Sequence, residues 1–329
     1  MTGRVLGRVP PGPRGLDTPG GRAHPADPLA IPHQGKPHLT AEKSNSTIRL
    51  ALPKGHLEDG VLRLLADAGI RVRAGSRGYR PSISLPGYET KILRPQNIVE
   101  MLHVGSRDIG FAGADWVAEV QADLVELLDT GMDPVRIVAA APISILENGK
   151  LPPRRLIVAS EYETLSRKWL EKENLDAQFV LTYGATEVFP PEDADLIVDN
   201  TATGSTLAAN GLEIVGEVMR STTRLYANPR SLENPARKEQ VDQLVMLLRS
   251  VLEARKRVML EVNVSADDLD ALVEALPCMR EPTISTLHGS GGYAVKAAVP
   301  RNELPLLIPV LKSRGGTDIV VTDLAQIVP

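Results

Sequence analysis

Three times along this chain an apolar run leads into a glycine-bearing turn and then into apolar residues at helical spacing. The first is "TIRLALPKGHLEDGVLRLLADAGI" at 47–70. There an alternating strand gives way to Pro53, Lys54 and Gly55, and Val61, Leu62, Leu64, Leu65 and Ala68 then fall at helical spacing before Gly69. "DIGFAGADWVAEV" at 108–120 and "ADLIVDNTATGSTLAANG" at 194–211 follow the same order. Strands alternating with helices predict an α/β body built on a mostly parallel sheet, with ligands at the carboxyl ends of its strands. "PVRIVAAAPISIL" and "RRLIVAS" supply further strands, and a helix is expected over Lys238 to Arg255 after a Pro-containing loop.

The two ends of the chain read differently from this body. Residues 1–46 hold eight prolines and seven glycines with almost no periodic apolar pattern. Such a composition buries too little surface to offset the entropy of ordering, so a disordered extension is expected there. Arg4, Arg8, Arg14 and Arg22 accompany no continuous apolar stretch, which argues against a secretory signal, and serine is too scarce for an organellar one. After Lys256 the order is strand "RVMLEVNV", helix "ADDLDALVEALP", strand "TISTLHG", strand "GYAVKAAVP", helix "RNELPLLIPVLKSRG" and strand "TDIVVTDLAQIV". This βαββαβ order is the ferredoxin-like unit. Pro305 is tolerated in the first turn of its second helix, whereas Pro309 is expected to kink it. The expected organisation is an extension at 1–46, a body at 47–256 and a small domain at 257–329, which suits an oligomer contact or an effector sensor.

Composition narrows the classes of function. A chain of 329 residues that is 43% apolar can bury a sizeable core in more than one domain. Its net charge of -4, with both signs interspersed, offers no basic stripe for nucleic acid. The longest largely apolar run, Ile137 to Leu146, has ten residues, against the roughly 20 of a membrane-spanning helix, so no membrane partner is expected. The one cysteine, Cys278, excludes an internal disulfide and fits a reducing compartment, with the cytoplasm as the expected location. None of the six histidines is spaced as a pair of metal ligands.

The most informative turn is the third. A strand ending at Asp199 delivers a carboxylate to the rim of the sheet, and Thr203, Gly204, Ser205 and Thr206 follow where the chain enters a helix. Gly204 permits a close backbone approach, and free N–H groups with hydroxyls favour a phosphate. A carboxylate beside such a cradle suits a sugar phosphate, accepting hydrogen bonds from ribose hydroxyls. On these residues alone a plain helix cap is an equally open reading. The turn has no Lys after its glycine, so it is not the loop of an ATP-hydrolysing P-loop enzyme. A non-catalytic solute receptor or effector domain stays open as well, and predicts a secretion signal or a helix-turn-helix segment, neither of which is visible. Lys54, held between Pro53 and Gly55, is a candidate for substrate phosphates. Gly113, Asp115 and Arg94 are candidates for the opposite wall of a cleft, with turn, cap and surface ion-pair roles as alternatives. Trp116 and Trp169 stand at helical apolar positions and are expected in the core. Cys278 has no basic neighbour in sequence and is expected to be inert.

Asp199, Thr203, Gly204, Thr206 and Leu207, with "ANGLEIVGEVMRSTTRLYAN" after them, resemble the signature of the ATP phosphoribosyltransferases that open histidine biosynthesis. "LALPKGHLEDG", "YRPSI", "LRPQNI", "DIGFAGADWV" and "LPCMREPTISTL" are similar to other segments of that family in the same order, so the resemblance covers roughly residues 47 to 329. It implies a two-lobed, periplasmic-binding-protein-like catalytic body followed by an ACT-like regulatory domain of the long-chain form. It also implies transfer of 5-phosphoribosyl from phosphoribosyl pyrophosphate to N1 of ATP, with Mg²⁺ carried by the substrate phosphates. By the resemblance, Thr203, Gly204, Ser205 and Thr206 hold the 5-phosphate, Asp199 and Glu187 meet the ribose hydroxyls, and Lys54 serves the phosphates of either substrate. Asn263, Met279, Thr283 and Ala298 align with positions that bind the inhibitor histidine, and the expected assembly is a homo-oligomer, from dimer to hexamer. The chain departs from the family pattern at His56, where many members carry Arg, and at Asn200, where an aliphatic residue is usual. The loop "EVFPPED" is also shorter than the family pattern and lacks a customary glycine.

Overall fold

The alternating pattern at 47–70 is realised, in a computed structural model that describes residues 47–73, 78–289 and 291–328, as strand β1 (Ile48–Pro53) and helix α1 (Glu58–Asp67). The extension expected at 1–46 lies outside the described residues. A short ribbon, β2 (Val72–Arg73) and β3 (Ser82–Ile83), leads to β4 (Tyr88–Leu93), α2 (Pro95–His103), β5 (Ile109–Gly113) and α3 (Ala114–Val120). Helix α2 starts where it does because Arg94 is extended before Pro95, whose fixed φ suits a first helical turn. There follow β6 (Val125–Pro142), β7 (Leu156–Ser160), α4 (Glu163–Lys172), β8 (Ala177–Leu181), β9 (Leu196–Thr201), α5 (Ser205–Ala209), β10 (Leu212–Ala227) and α6 (Pro235–Lys256).

These strands, apart from the β2–β3 ribbon, form one eight-stranded sheet in the order β4-β1-β5-β10-β6-β9-β7-β8. Its flanks are parallel, as the alternation of strands and helices predicts, with β1 beside β4 and β5, and β7 beside β8 and β9. Its centre corrects the expectation of a mostly parallel sheet. Strand β10 runs antiparallel to β5 and β6, and β6 antiparallel to β9. The reason is length: β6 has 18 residues and β10 has 16, so each serves two regions of the sheet in turn. Thr223–Ala227 of β10 pairs with β5, whereas Arg136–Ala140 of β6 pairs with β9. The body is therefore two-lobed, and the lobes meet where the β6–β10 register slips between Ser221 and Thr223.

Each lobe buries both faces of its part of the sheet. In the first, Ile48, Leu50, Leu52 and Phe111 pack with α1 and with Leu244 and Leu248 of α6, while Ala51 and Ala112 pack with Ile98 and Leu102 of α2. In the second, Ile137, Val158 and Val198 pack on Trp169 of α4, while Val138, Ala140 and Ile197 pack on Leu207 of α5. Each fully buried Leu, Ile or Val contributes about 1.5–3 kcal/mol relative to exposure, so burial on both faces fixes the strands and hence the turns at their ends.

The remaining elements, β11 (Arg257–Val264), α7 (Leu269–Glu274), β12 (Thr283–Thr286), β13 (Tyr293–Pro300), α8 (Leu304–Ser313) and β14 (Thr317–Asp323), form an antiparallel sheet in the order β12-β13-β11-β14. This is the ferredoxin-like arrangement. Val258, Leu260, Val262 and Val264 alternate into a core shared with Leu272 of α7 and Leu307 and Leu311 of α8, and α8 continues across Pro309 to Ser313. Among the described residues no helix is long and apolar enough to cross a membrane.

Candidate active site

At the junction of the lobes two adjoining cavities open, and His56, Val135, Glu161 and Asn200 line both. The first, about 290 Å³, brings together Lys54, Arg94, Gly113 and Asp115 with Trp116, Tyr162 and Ser221 to Thr223. Gly113 ends the buried strand β5, and a Cβ there would stand 2.1 Å from Asp115 Oδ1, so the position of that carboxylate requires glycine. Asp115 is buried, and both its oxygens are engaged: Oδ1 accepts from Ser221 Oγ at 2.7 Å and Oδ2 from the Tyr162 hydroxyl at 2.8 Å. Its N–H donates to Ser221 Oγ at 3.1 Å. Burial pushes the Tyr162 phenol far above its ordinary range, and the Asp115 carboxylate adds to the shift.

Trp116 packs against the cores of both lobes, as expected, and also walls the cavity. It is half-buried in the cavity wall, its ring stacked on Tyr162 with centroids 4.7 Å apart and planes at 29°. Helix α3 lies at the junction, so its third residue faces the other lobe, whereas Trp169 is buried in the second-lobe core. Lys54 and Arg94 are exposed on the first-lobe side. The Lys54 N–H donates to the Leu93 carbonyl at 2.8 Å, and its Nζ stands 5.3 Å from the centre of the Tyr79 ring.

The second cavity, about 540 Å³, is lined by Glu161, by Gly184 to Glu187, and by the chain from Asp199 through Leu207 except Gly204. The β9 strand carries Asp199 to the rim. There its Oδ1 accepts the Asn200 N–H at 2.6 Å. Burial raises the Asp199 carboxyl to about 6, and the neighbouring Glu187 and Glu161 charges push the same way. The turn is set by Gly204 at φ +83, whose N–H donates to Thr201 Oγ1 at 2.8 Å. Thr203 Oγ1 and Ser205 Oγ lie 2.9 Å apart at the exposed tip, and the first intrahelical bond of α5 is made by the Ala208 N–H to the Gly204 carbonyl at 3.0 Å. The amides of Thr206 and Leu207 precede that bond, so the turn presents hydroxyls and helix-start N–H groups to the cavity.

Sequence reasoning had not assigned Glu161, Tyr162, Asp133 or Ser221 to Thr223 to the site. Glu161 and Tyr162 directly follow the apolar run "LIVAS", so the strand-end rule that picks out Asp199 reaches them too. Ser221 and Thr223 carry no such signal, because their place depends on the register of β10 against β6. Among the described residues no three His, Cys, Asp or Glu side chains are grouped to hold a metal ion.

In the small domain Asn263, Ala298 and Thr283 lie on three neighbouring strands. By their register they share the face of the sheet turned away from α7 and α8. The Met279 N–H donates to the Ala298 carbonyl at 3.4 Å, and Asn263 Nδ2 donates to Asp318 Oδ2 at 3.1 Å. Cys278 is half-buried, and burial pushes its thiol up, away from the reactive thiolate.

The sequence pattern of the ATP phosphoribosyltransferase family matches residues 94–250, and that of the HisG C-terminal domain matches residues 254–326. An ATP phosphoribosyltransferase of Pelotomaculum thermopropionicum is 37% identical over 289 residues, which cover 86% of this chain and 99% of the relative. The chain belongs to the ATP phosphoribosyltransferase family. A second relative of that name, from Chlorobaculum parvum, is 37% identical over 290 residues, covering 87% of this chain and 99% of its own. The solved "ATP phosphoribosyl transferase (HisG:HisZ) complex from Thermotoga maritima" contains a chain 27% identical, with a TM-score of 0.57, over 63% of this chain and 99% of that one. As an ATP phosphoribosyltransferase family member carrying the C-terminal domain, the chain is of the long form and is a glycosyl-transferring enzyme. The family match from 94 to 250 contains the whole second cavity except His56.

Proposed function

We propose that this enzyme transfers the 5-phosphoribosyl group of phosphoribosyl pyrophosphate to N1 of ATP, releasing pyrophosphate and opening histidine biosynthesis. The observation that carries this reading is the pair of adjoining cavities, one walled by a stacked aromatic pair and cationic side chains, the other by a carboxylate beside a hydroxyl-rich turn. The first suits an adenine nucleotide and the second a ribose phosphate, with their shared wall as the place of transfer.

Displacement at the anomeric carbon develops positive charge on the ribose and negative charge on the departing pyrophosphate, so no protein nucleophile is needed. Positioning and electrostatics supply the rate. Thr203, Ser205 and Thr206 hold the 5-phosphate through hydroxyls and helix-start N–H groups, and Gly204 sets the turn that presents them. Asp199 and Glu187 accept hydrogen bonds from the ribose hydroxyls and stabilise the charge that grows on the ring. Gly113 and Asp115 shape the nucleotide wall, Asp115 by fixing Tyr162, while Lys54 and Arg94 face the phosphates. No protein cage for Mg²⁺ is needed, because the ion commonly rides on substrate phosphates with its own waters. Bound there on the phosphates, Mg²⁺ would neutralise charge on the leaving group.

The open face bearing Asn263, Thr283 and Ala298, with Met279 at its edge, is proposed as the histidine site. The exposed Val320 on that face supports contact with a second copy in a homo-oligomer, from dimer to hexamer. The proposed setting is the cytoplasm. A pyrophosphate-release assay tests the reading. Release is expected to need both ATP and phosphoribosyl pyrophosphate and to fall when histidine is added. Phosphate from ATP alone, or no turnover with both substrates, would refute the transfer.

A further inference from the structure

A line of hydrogen bonds joins the two cavities. Ser221 Oγ and the Tyr162 hydroxyl donate to the two oxygens of Asp115, at 2.7 and 2.8 Å. Asn200 Nδ2 stands 3.3 Å from the Tyr162 hydroxyl oxygen and 3.3 Å from Asp199 Oδ1, the same oxygen that takes the Asn200 N–H. The Tyr162 hydroxyl has one proton, and it goes to Asp115. Toward Asn200 the phenol oxygen can only accept. The amide NH₂ carries two protons, which is what bridging two acceptors requires, and neither an aliphatic nor a carboxylate side chain at 200 could do the same. Asn200 is itself exposed and lines both cavities, so its neighbours rather than the core hold it in place.

We propose that Asn200 is a positioning residue that couples the two cavities, holding Asp199 in register with the Trp116–Tyr162 pair so that occupancy of either cavity strengthens binding in the other. A base stacked on Trp116 restrains the Tyr162 ring. The restrained hydroxyl steadies the Asn200 amide, and the amide aims Asp199 at the ribose. Coupling of this kind is reciprocal, since each ligand changes the affinity of the other by the same factor. The inference rests on the reading of the first cavity as the nucleotide site and the second as the ribose phosphate site.

The test is calorimetric binding of phosphoribosyl pyrophosphate with and without 1-deaza-ATP, a nucleotide whose ring lacks the attacking nitrogen. The wild-type enzyme is compared with Asn200→Leu, Tyr162→Phe and the double variant. In the wild type the nucleotide is expected to tighten phosphoribosyl pyrophosphate about tenfold, within the usual range of coupling between sites. In each single variant the ratio is expected to fall toward one, and the double variant to lose no more than either single one, because both changes cut the same line. Asn200→Leu should also move the acid limb of kcat/KM to higher pH, because the ionised Asp199 loses a donor; a purely structural role would leave the limb in place. A wild-type ratio of one, a full ratio in Asn200→Leu, or losses that add in the double variant overturns the coupling. Wild-type enzyme that binds no phosphoribosyl pyrophosphate, or binds it as well after Asp199→Asn, overturns the assignment of the second cavity and the coupling with it.

Discussion

The two cavities differ in how their carboxylates are held. In the first, Asp115 is shared between Ser221 and Tyr162, and Asp133 Oδ2 accepts from Thr223 Oγ1 at 2.7 Å, while Gln96 Oε1 in the same wall is buried without a partner among the described residues. In the second, the exposed hydroxyls and helix-start amides turn toward the cavity, and Asp199 is ionised only against burial and two acidic neighbours. Under the proposed assignment, the contrast lets one junction serve two ligands. A flat base needs a rigid surface that is already in place, and a phosphate with its ribose needs donors and charges whose partners arrive with the ligand. Substitutions in the first cavity should act mainly on nucleotide binding, and those in the second on phosphoribosyl pyrophosphate binding and its transfer.

The hardest blow to this contrast would come from Asp199→Asn. It is expected to lower kcat/KM by roughly 100-fold or more, as for other preorganised electrostatic contacts, and steady-state kinetics would show it. The same variant should be more stable. The folded carboxyl titrates near 6, above its ordinary value of 3.8, so ionisation costs stability as pH rises from that value through about 6. Asparagine carries no such cost, and above about pH 6 the gain is on the order of 3 kcal/mol by denaturant titration. For the wild type, kcat/KM should fall as pH drops through about 6, where Asp199 takes up its proton. An activity profile flat from 5 to 7, or a variant less stable than wild type, would place Asp199 with the satisfied groups and remove the contrast.

Trp116→Ala gives a smaller effect in the other cavity. Loss of a stacking surface costs about 1–3 kcal/mol per base, so KM for ATP should rise roughly tenfold while KM for phosphoribosyl pyrophosphate changes by less. Equal effects on both would mean that the tryptophan merely braces the lobes. Thr203→Ala sharpens the comparison most finely. One hydroxyl in an open cradle is worth about 1 kcal/mol, so a several-fold rise in KM for phosphoribosyl pyrophosphate, with KM for ATP unchanged, is expected from initial rates.

Much of the fold was legible in the residues. The strand–turn–helix units at 47–70, 108–120 and 194–211, and the βαββαβ order after Lys256, follow from local periodicity and glycine placement, and each element lies near its expected position. The character of the Asp199 turn was legible for the same reason. Its helix start, its glycine at positive φ and its hydroxyls are set by residues within a few positions of one another. Helical spacing at Trp116 reports that the residue faces a neighbouring element and is silent on whether it also borders a cleft, as it does here. Tyr162 was passed over although it follows a buried strand as Asp199 does.

By itself, then, the sequence determined three strand–turn–helix units, the residues that shape the Asp199 turn and the βαββαβ order of the C-terminal unit, all of which depend on short-range periodicity and backbone preference. The tertiary structure alone decided that β6 and β10 pass antiparallel from one lobe into the other, and that their register slip sets Ser221 and Thr223 beside Asp115 and Asp133. It also decided that Tyr162 and Asn200 close the gap between two cavities. Those contacts join residues tens of positions apart, and pairing over such distances is selected by burial of whole sheet faces, which no local pattern encodes.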